Sequence, residues 1–290
     1  FRAELGQYFL QKWVHPCTRT LHIMWLLVLE GLAIGCLLGL TGSGGGILAV
    51  PALMASQGWT VSQAAPVGLL AVTLSAFVGM VQGLFKKIVR YRAAIWIALI
   101  SLPSARYGIH LASIISPVWL SLGFSIVMMI VAYRIFFNKV NDFEDPPCKV
   151  NQSTGQLIWN VKTASVLGII GIIAGLLTGL LGVGGGFVIV PALRKVTDLD
   201  MRSIVATSLM IIFLIGGVSI SIHIIDGFQY PIVVTVSFVV ACIIGMLMGR
   251  RLISLIDIKT VQKVFAVVVI CVAIYLVISS VSKILPMISL

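Results

Sequence analysis

The chain has 290 residues, of which 59% are hydrophobic and only 10% charged, and its mean hydropathy is +1.12. That leaves too little polar surface to cover a soluble globule, so composition places the chain in a bilayer, and the apolar stretches read below make it an all-α integral membrane protein. The formal net charge of +11 does not point to nucleic acid, because the basic residues sit in short loops beside apolar spans and form no continuous basic face.

Residues 1–23 read as an N-terminal arm. Tyr8, Phe9, Leu10 and Trp13 among Arg2, Lys12 and Arg19 suit either an amphipathic segment on the membrane surface or a disordered tail. The chain opens with Phe1 and shows no short apolar core followed by a small-residue cleavage site, so no secretory signal is read there. Eight apolar stretches follow: Trp25 to Ala55, Ala64 to Phe85, Ala93 to Leu111, Ile114 to Phe137, Ala164 to Leu193, Ile204 to Ile225, Tyr230 to Met248 and Val264 to Leu285. Most suit a spanning helix of roughly 20 residues. The first and fifth are too long for one upright helix, since roughly 30 helical residues run about 45 Å against a hydrocarbon core of about 30 Å. A polar linker at 139–161, holding Asp142, Glu144, Asp145, Pro146 and Pro147, joins four stretches in membrane repeat 1 (24–138) to four in membrane repeat 2 (162–290).

The two long stretches are copies of one another. Gly31 to Leu53 recurs as Gly171 to Leu193 at a constant offset of 140, and twelve of the nineteen positions from Gly35 to Leu53 match. The repeat centres on Gly-Leu-Thr-Gly-Ser-Gly-Gly-Gly (39–46) and Gly-Leu-Leu-Gly-Val-Gly-Gly-Gly (179–186). Shared apolar composition does not produce matched glycine triplets followed by matched prolines.

Upstream of each triplet the glycines fall every four residues, at Gly31, Gly35 and Gly39 and at Gly171, Gly175 and Gly179. On a helix this makes a smooth ridge for close helix packing, and Gly245 with Gly249 reads the same way. From Thr41 to Gly46 and from Leu181 to Gly186 the glycines are too dense for a comfortable helix, each costing about 1 kcal/mol against alanine. The chain is expected to unwind there. Val50 and Val190 precede prolines and are biased to extended geometry, so a second half-helix is expected to begin near Pro51 and Pro191. Each copy would then offer a nest of bare amides and a helix N-terminus, both of which favour an anion. The competing reading is a purely structural turn, which glycine also suits. A phosphate-binding P-loop is excluded, because no Lys-Ser/Thr follows the glycines.

Basic residues per loop run none, four, none in the first half and three, none, four in the second. If all eight stretches crossed, the seven basic residues after the fifth stretch and before the eighth would face outward, against the positive-inside rule. The conflict disappears if the glycine-broken stretches dip in and return, leaving three crossings per half and two inverted repeats. Arg2, Lys12 and Arg19 resist this arrangement unless the first stretch crosses and only the fifth returns.

The paired Gly-Leu-x-Gly-x-Gly-Gly-Gly segments, each followed by Pro-Ala-Leu, resemble the signature of the sulfite exporter TauE/SafE family. Ala206-Thr207-Ser208-Leu209 and Gly249-Arg250-Arg251-Leu252 extend the likeness, which runs from about Leu26 to about Ser282. The resemblance implies secondary transport, typically export of sulfur-containing anions such as sulfite, sulfonates or thiosulfate, without an ATPase.

The candidate substrate-binding residues are Thr41, Gly42, Ser43, Gly44, Gly45, Gly46 and Pro51 in the first half, and Gly182, Gly184, Gly185, Gly186, Pro191, Thr207 and Ser208 in the second. Thr207 and Ser208 match the family's Thr-Ser, where the first half has Val67 and Gly68. The half-sites are therefore unequal. Any of these hydroxyls can instead bond its own helix backbone. Arg106, inside the third stretch, is either an anion ligand or a snorkelling side chain. Glu30, next to the first ridge, is a carboxylate able to titrate during transport. Neither a nucleophile with a base nor a metal cluster is present, so an enzyme is discounted. No cofactor is called for. The partners expected are a small anion and the lipid bilayer, with a homodimer left open. The expected function is an alternating-access carrier, or alternatively a channel-like pathway or a permease for a different anion or solute.

Overall fold

The computed structural model describes residues 24–42, 44–137, 148, 157, 159–252 and 258–288. The N-terminal arm and most of the linker lie outside these residues. Ten helices are described: α1 (Met24–Thr41), α2 (Gly44–Gln57), α3 (Val61–Phe85), α4 (Tyr91–Ile114), α5 (Pro117–Phe137), α6 (Val161–Leu181), α7 (Gly186–Val196), α8 (Met201–Ile225), α9 (Ile232–Leu252) and α10 (Ile258–Ile288). Six of the eight apolar stretches become one helix each. The first and fifth each become two, so every repeat holds five helices. Among the described residues, α1, α3, α6, α8 and α9 are long and apolar enough to cross a membrane. Phe85, Ile225 and Ile232 stand 84%, 82% and 75% exposed, an outward apolar surface that suits lipid and not water.

The glycine ridges pack helix on helix. A methyl group on Gly35 would run into the carbonyl of Cys242, and one on Gly31 or Gly39 would meet Ala241 or Met246. Gly245 and Gly249 return the fit against Leu32 and Cys36, so α1 and α9 lie backbone to backbone in the same direction. In the other half, Gly171, Gly175 and Gly179 pack on Ile97, Ser101 and Ala105, and Gly108 packs back on Leu176. Each ridge therefore serves a helix of the other repeat. At the centre, α3 and α8 cross in opposite directions, with Gly83 on Ala206, Gly79 on Leu209 and Gly216 on Thr73.

Each broken segment doubles back. Gly45 lies beside Ile34 and Leu38, and Gly185 beside Ala174 and Thr178, so both return along the helix just left. The far ends close as well. Glu30 near the start of α1 comes beside Ser56 at the end of α2. Cys148 bonds Thr163 at the start of α6, and it also pairs with Thr197 just past α7, its N–H donating to the Val196 carbonyl at 3.0 Å.

One end of the bundle collects the basic residues. The Trp96 indole near the start of α4 donates to the Ala164 carbonyl at 3.0 Å. The Arg90 backbone N–H donates to the Thr207 hydroxyl at 3.0 Å. Arg250, in the last turn of α9, reaches the Gly79 carbonyl at 2.8 Å. These bonds put the α3–α4 turn with Lys86 and Lys87, the start of α8 and the end of α9 on the side where α7 ends with Arg194 and Lys195.

Candidate functional site

The first break is short. Helix α1 continues through Thr41, whose hydroxyl donates back to the Leu37 carbonyl at 2.7 Å. Gly42 takes φ +74 and gives its N–H to the Leu38 carbonyl at 2.8 Å. Ser43 lies outside the described residues, and α2 begins at Gly44. The second break is longer. Gly182, Gly184 and Gly185 all take positive φ, at +66, +76 and +62, before α7 begins at Gly186. Three left-handed residues within four positions are tolerated cheaply only by glycine.

These boundaries correct the expectation that the returning half-helices start near Pro51 and Pro191. Both prolines lie inside helices, with α2 running from Gly44 and α7 from Gly186. The extended bias before a proline is a preference, and burial outweighs it here: Ile47, Ala49, Val50 and Leu53 in α2, and Ile189 and Leu193 in α7, are almost completely buried. Each proline leaves the carbonyl four residues back, Ile47 or Phe187, without its helical donor. The correction also moves the helix N-termini onto the glycine triplets. The first amides of α2 and α7 have no partner within their own helices, and the positive end of each dipole lies at the break.

The two breaks meet. A Cβ built on Gly46 would lie 2.7 Å from the Val183 carbonyl oxygen, while Val72 flanks both Gly46 and Gly184, and Ile212 flanks Gly184. Gly42 packs on Val205 of α8, and Gly182 packs on Ala65, the equivalent position of α3. Gly182 to Gly186 are buried. Val72 and Ile212 are equivalent positions missing from the sequence-derived site. Their signal was the repeat offset itself, applied to plain apolar residues that carry no motif.

Ser208 joins this centre. Its hydroxyl is fully buried and bonds the Gly42 carbonyl at 3.0 Å and the Val205 carbonyl at 2.8 Å. Thr207 is equally buried, but its hydroxyl oxygen accepts the Arg90 N–H at the start of α4. Arg106 is not brought to the breaks. Its side chain is exposed, whereas Ala105 and Ile109 make the contact with Gly179. The cation that does reach inward is Arg250, which also bonds the Gln82 side-chain oxygen at 3.1 Å. It stood in the family-like segment without being assigned to the site.

The profile of the sulfite exporter TauE/SafE family matches residues 27–276. A "Probable membrane transporter protein" from Xylella fastidiosa is 27% identical over 264 residues, covering 89% of this chain and 96% of its own. "Probable membrane transporter protein YunE" from Bacillus subtilis is also 27% identical, over 214 residues that cover 70% of this chain and 78% of its own. No solved structure matches the chain. A profile match over most of the chain, two glycine-broken segments and a lipid-facing apolar surface agree: the chain belongs to the TauE/SafE family and is a multi-pass membrane transporter.

Proposed function

We propose that the protein is a secondary carrier, in the exporting sense, for a small sulfur-containing anion such as sulfite, a sulfonate or thiosulfate. The name of the matching family supplies the substrate class. The observation that carries the site assignment is the Val183 carbonyl against Gly46, which joins the two breaks and the N-termini of α2 and α7 at one place. Free amides, two positive dipole ends and glycine surfaces suit a compact anion with several acceptor oxygens.

The antiparallel crossing of α3 and α8, equivalent helices of the two repeats, supports an inverted arrangement. The doubling back of both segments supports re-entrant hairpins entering from opposite sides. The Val183 carbonyl lies against Gly46 in the first turn of α2, so the form described has the two tips closed on each other. Substrate enters when they part, and the two hairpins open in turn toward opposite sides.

Vesicles reconstituted with the purified protein and loaded with sulfite, sulfate, thiosulfate or taurine test this. Saturable flux with counterflow for a sulfur anion is expected. Ohmic flux would favour a channel, and absence of flux for all four would sink the substrate class.

A further inference from the structure

A basic cavity lies at one end of the bundle, apart from the glycine breaks. A cavity of about 390 Å³ opens between the α3–α4 turn and the start of α6, lined by Lys87, Arg90 and Arg92 together with Tyr91 and Trp159. None of its lining residues is acidic. The Nε of Arg90 is buried without a hydrogen-bond partner, and a buried donor in that state calls for an acceptor. Lys87 is the one non-glycine residue with positive φ, at +57, among the described residues. That conformation closes the C-terminus of α3, with the Lys87 N–H on the Leu84 carbonyl at 2.9 Å and the Ile88 N–H on the Gly83 carbonyl at 3.2 Å, and this cap sets the turn that brings Lys87 to the cavity. The amides of the first turn of α4, a helix of 24 residues, add their dipole to the same cavity.

The surroundings select the ligand. Tyr91, Ile95 and Leu99 follow one another at four-residue spacing on α4 and are all exposed, so one apolar stripe runs down the helix from the cavity mouth. Trp96 and Trp159 stack edge to face, with ring centroids 6.0 Å apart, and tryptophan at this level marks the headgroup region of a bilayer. Three cations beside a lipid-facing stripe match an amphiphile with an anionic head.

We propose that this cavity binds the phosphate headgroup of an anionic phospholipid whose acyl chains lie along Tyr91, Ile95 and Leu99. The bound lipid fixes the α3–α4 turn, and through the Arg90 N–H on Thr207 it holds the start of α4 against α8. The site is independent of the transport reading, since it is read by binding alone.

Delipidated protein in neutral detergent is titrated with phosphatidylglycerol, phosphatidylcholine, inorganic phosphate and glycerol 3-phosphate, with binding followed by native mass spectrometry and thermal unfolding. Phosphatidylglycerol is expected to bind saturably, at least tenfold tighter than phosphatidylcholine. The Lys87→Gln/Arg92→Gln variant loses at least tenfold of that affinity. Arg90→Gln, which retains the backbone N–H on Thr207, gives the same loss and serves if the double variant fails to fold. Lys86→Gln, whose side chain does not line the cavity, keeps wild-type affinity. Unchanged affinity in Arg90→Gln, or an equal loss in Lys86→Gln, overturns the site. Glycerol 3-phosphate or inorganic phosphate binding as tightly as the lipid overturns the lipid assignment in favour of a soluble phosphate.

Discussion

The hydroxyl of Ser208 on α8 holds the carbonyl of Gly42 at 3.0 Å, a bond that crosses from the second repeat to the break in the first. The equivalent position in the first repeat is Gly68, which packs on Ala49 and Val50 and has no hydroxyl to offer. The first break is clamped by a side-chain hydrogen bond from the opposite repeat, while the second carries three left-handed glycines. Ser208→Ala is therefore expected to lower stability by about 1–2 kcal/mol, the loss of a buried bond, in thermal unfolding of the purified protein. Under the proposed function it also alters the affinity for the anion, whereas Thr207→Val lowers stability and leaves affinity alone. Equal effects of both on affinity would contradict this division of roles.

Glycine substitutions separate packing from conformation. Gly45→Ala would drive a methyl group into the backbone of Ile34 and Leu38, and a loss of about 1–3 kcal/mol is expected for such overpacking. Gly217→Ala, in α8 with nothing within 4 Å, should gain up to about 1 kcal/mol. Gly184 is the better probe of the anion nest. Its Cβ would meet only side chains, the Cγ2 of Ile212 at 3.1 Å and the Cγ1 of Val72 at 3.5 Å, so Ile212→Ala, which removes that Cγ2, makes room, and the strain left by a φ of +76 is read separately as lost stability. Gly184→Ala in that background is expected to weaken anion binding roughly tenfold to a hundredfold. Unchanged affinity there would return the triplets to a structural turn.

Lys86 and Lys195 are expected to face the same, cytoplasmic side. Cysteines placed at both positions, in a background without native cysteines, should resist an impermeant thiol reagent added outside intact cells and react once the membrane is opened. Labelling of only one from outside rules out the inverted arrangement.

The two arginines are expected to behave oppositely. Arg106 is exposed on α4, and Arg106→Gln should leave anion affinity and folding unchanged. Arg250 spans from α9 to the Gly79 carbonyl and the Gln82 side chain. Arg250→Gln should cost about 1.5–3 kcal/mol, the range for hydrogen bonds to a charged group. A large affinity loss in Arg106→Gln would show that the exposed side chain reaches the anion in another conformation.

The glycine spacing made the ridges legible in the sequence, because a period of four leaves one bare face on a helix. It did not reveal the partner helices, since a smooth ridge accepts any close backbone. The exchange of α1 onto α9 and of α6 onto α4 is set by three-dimensional closure. The breaks were also legible, but their extents were not. Pro51 and Pro191 suggested helix starts by local preference, and the buried side chains around them carry helix across that signal. Thr207 and Ser208 looked alike as neighbouring hydroxyls. Only the rotation of α8, which turns Ser208 to Gly42 and Thr207 to Arg90, distinguishes them.

The ridge exchange gives the protein an order of assembly. Gly171 needs only Ile97, which has already been made and inserted when α6 leaves the ribosome. Gly35 needs Cys242, about two hundred residues further on, and at roughly 5–20 residues per second that is a wait of tens of seconds. During that interval the glycine face of α1 is unmatched. The second hairpin can seat on arrival, so α9 is the piece whose synthesis closes the first ridge. A chain stalled before Cys242 leaves α1 for the cell's membrane quality control to recognise.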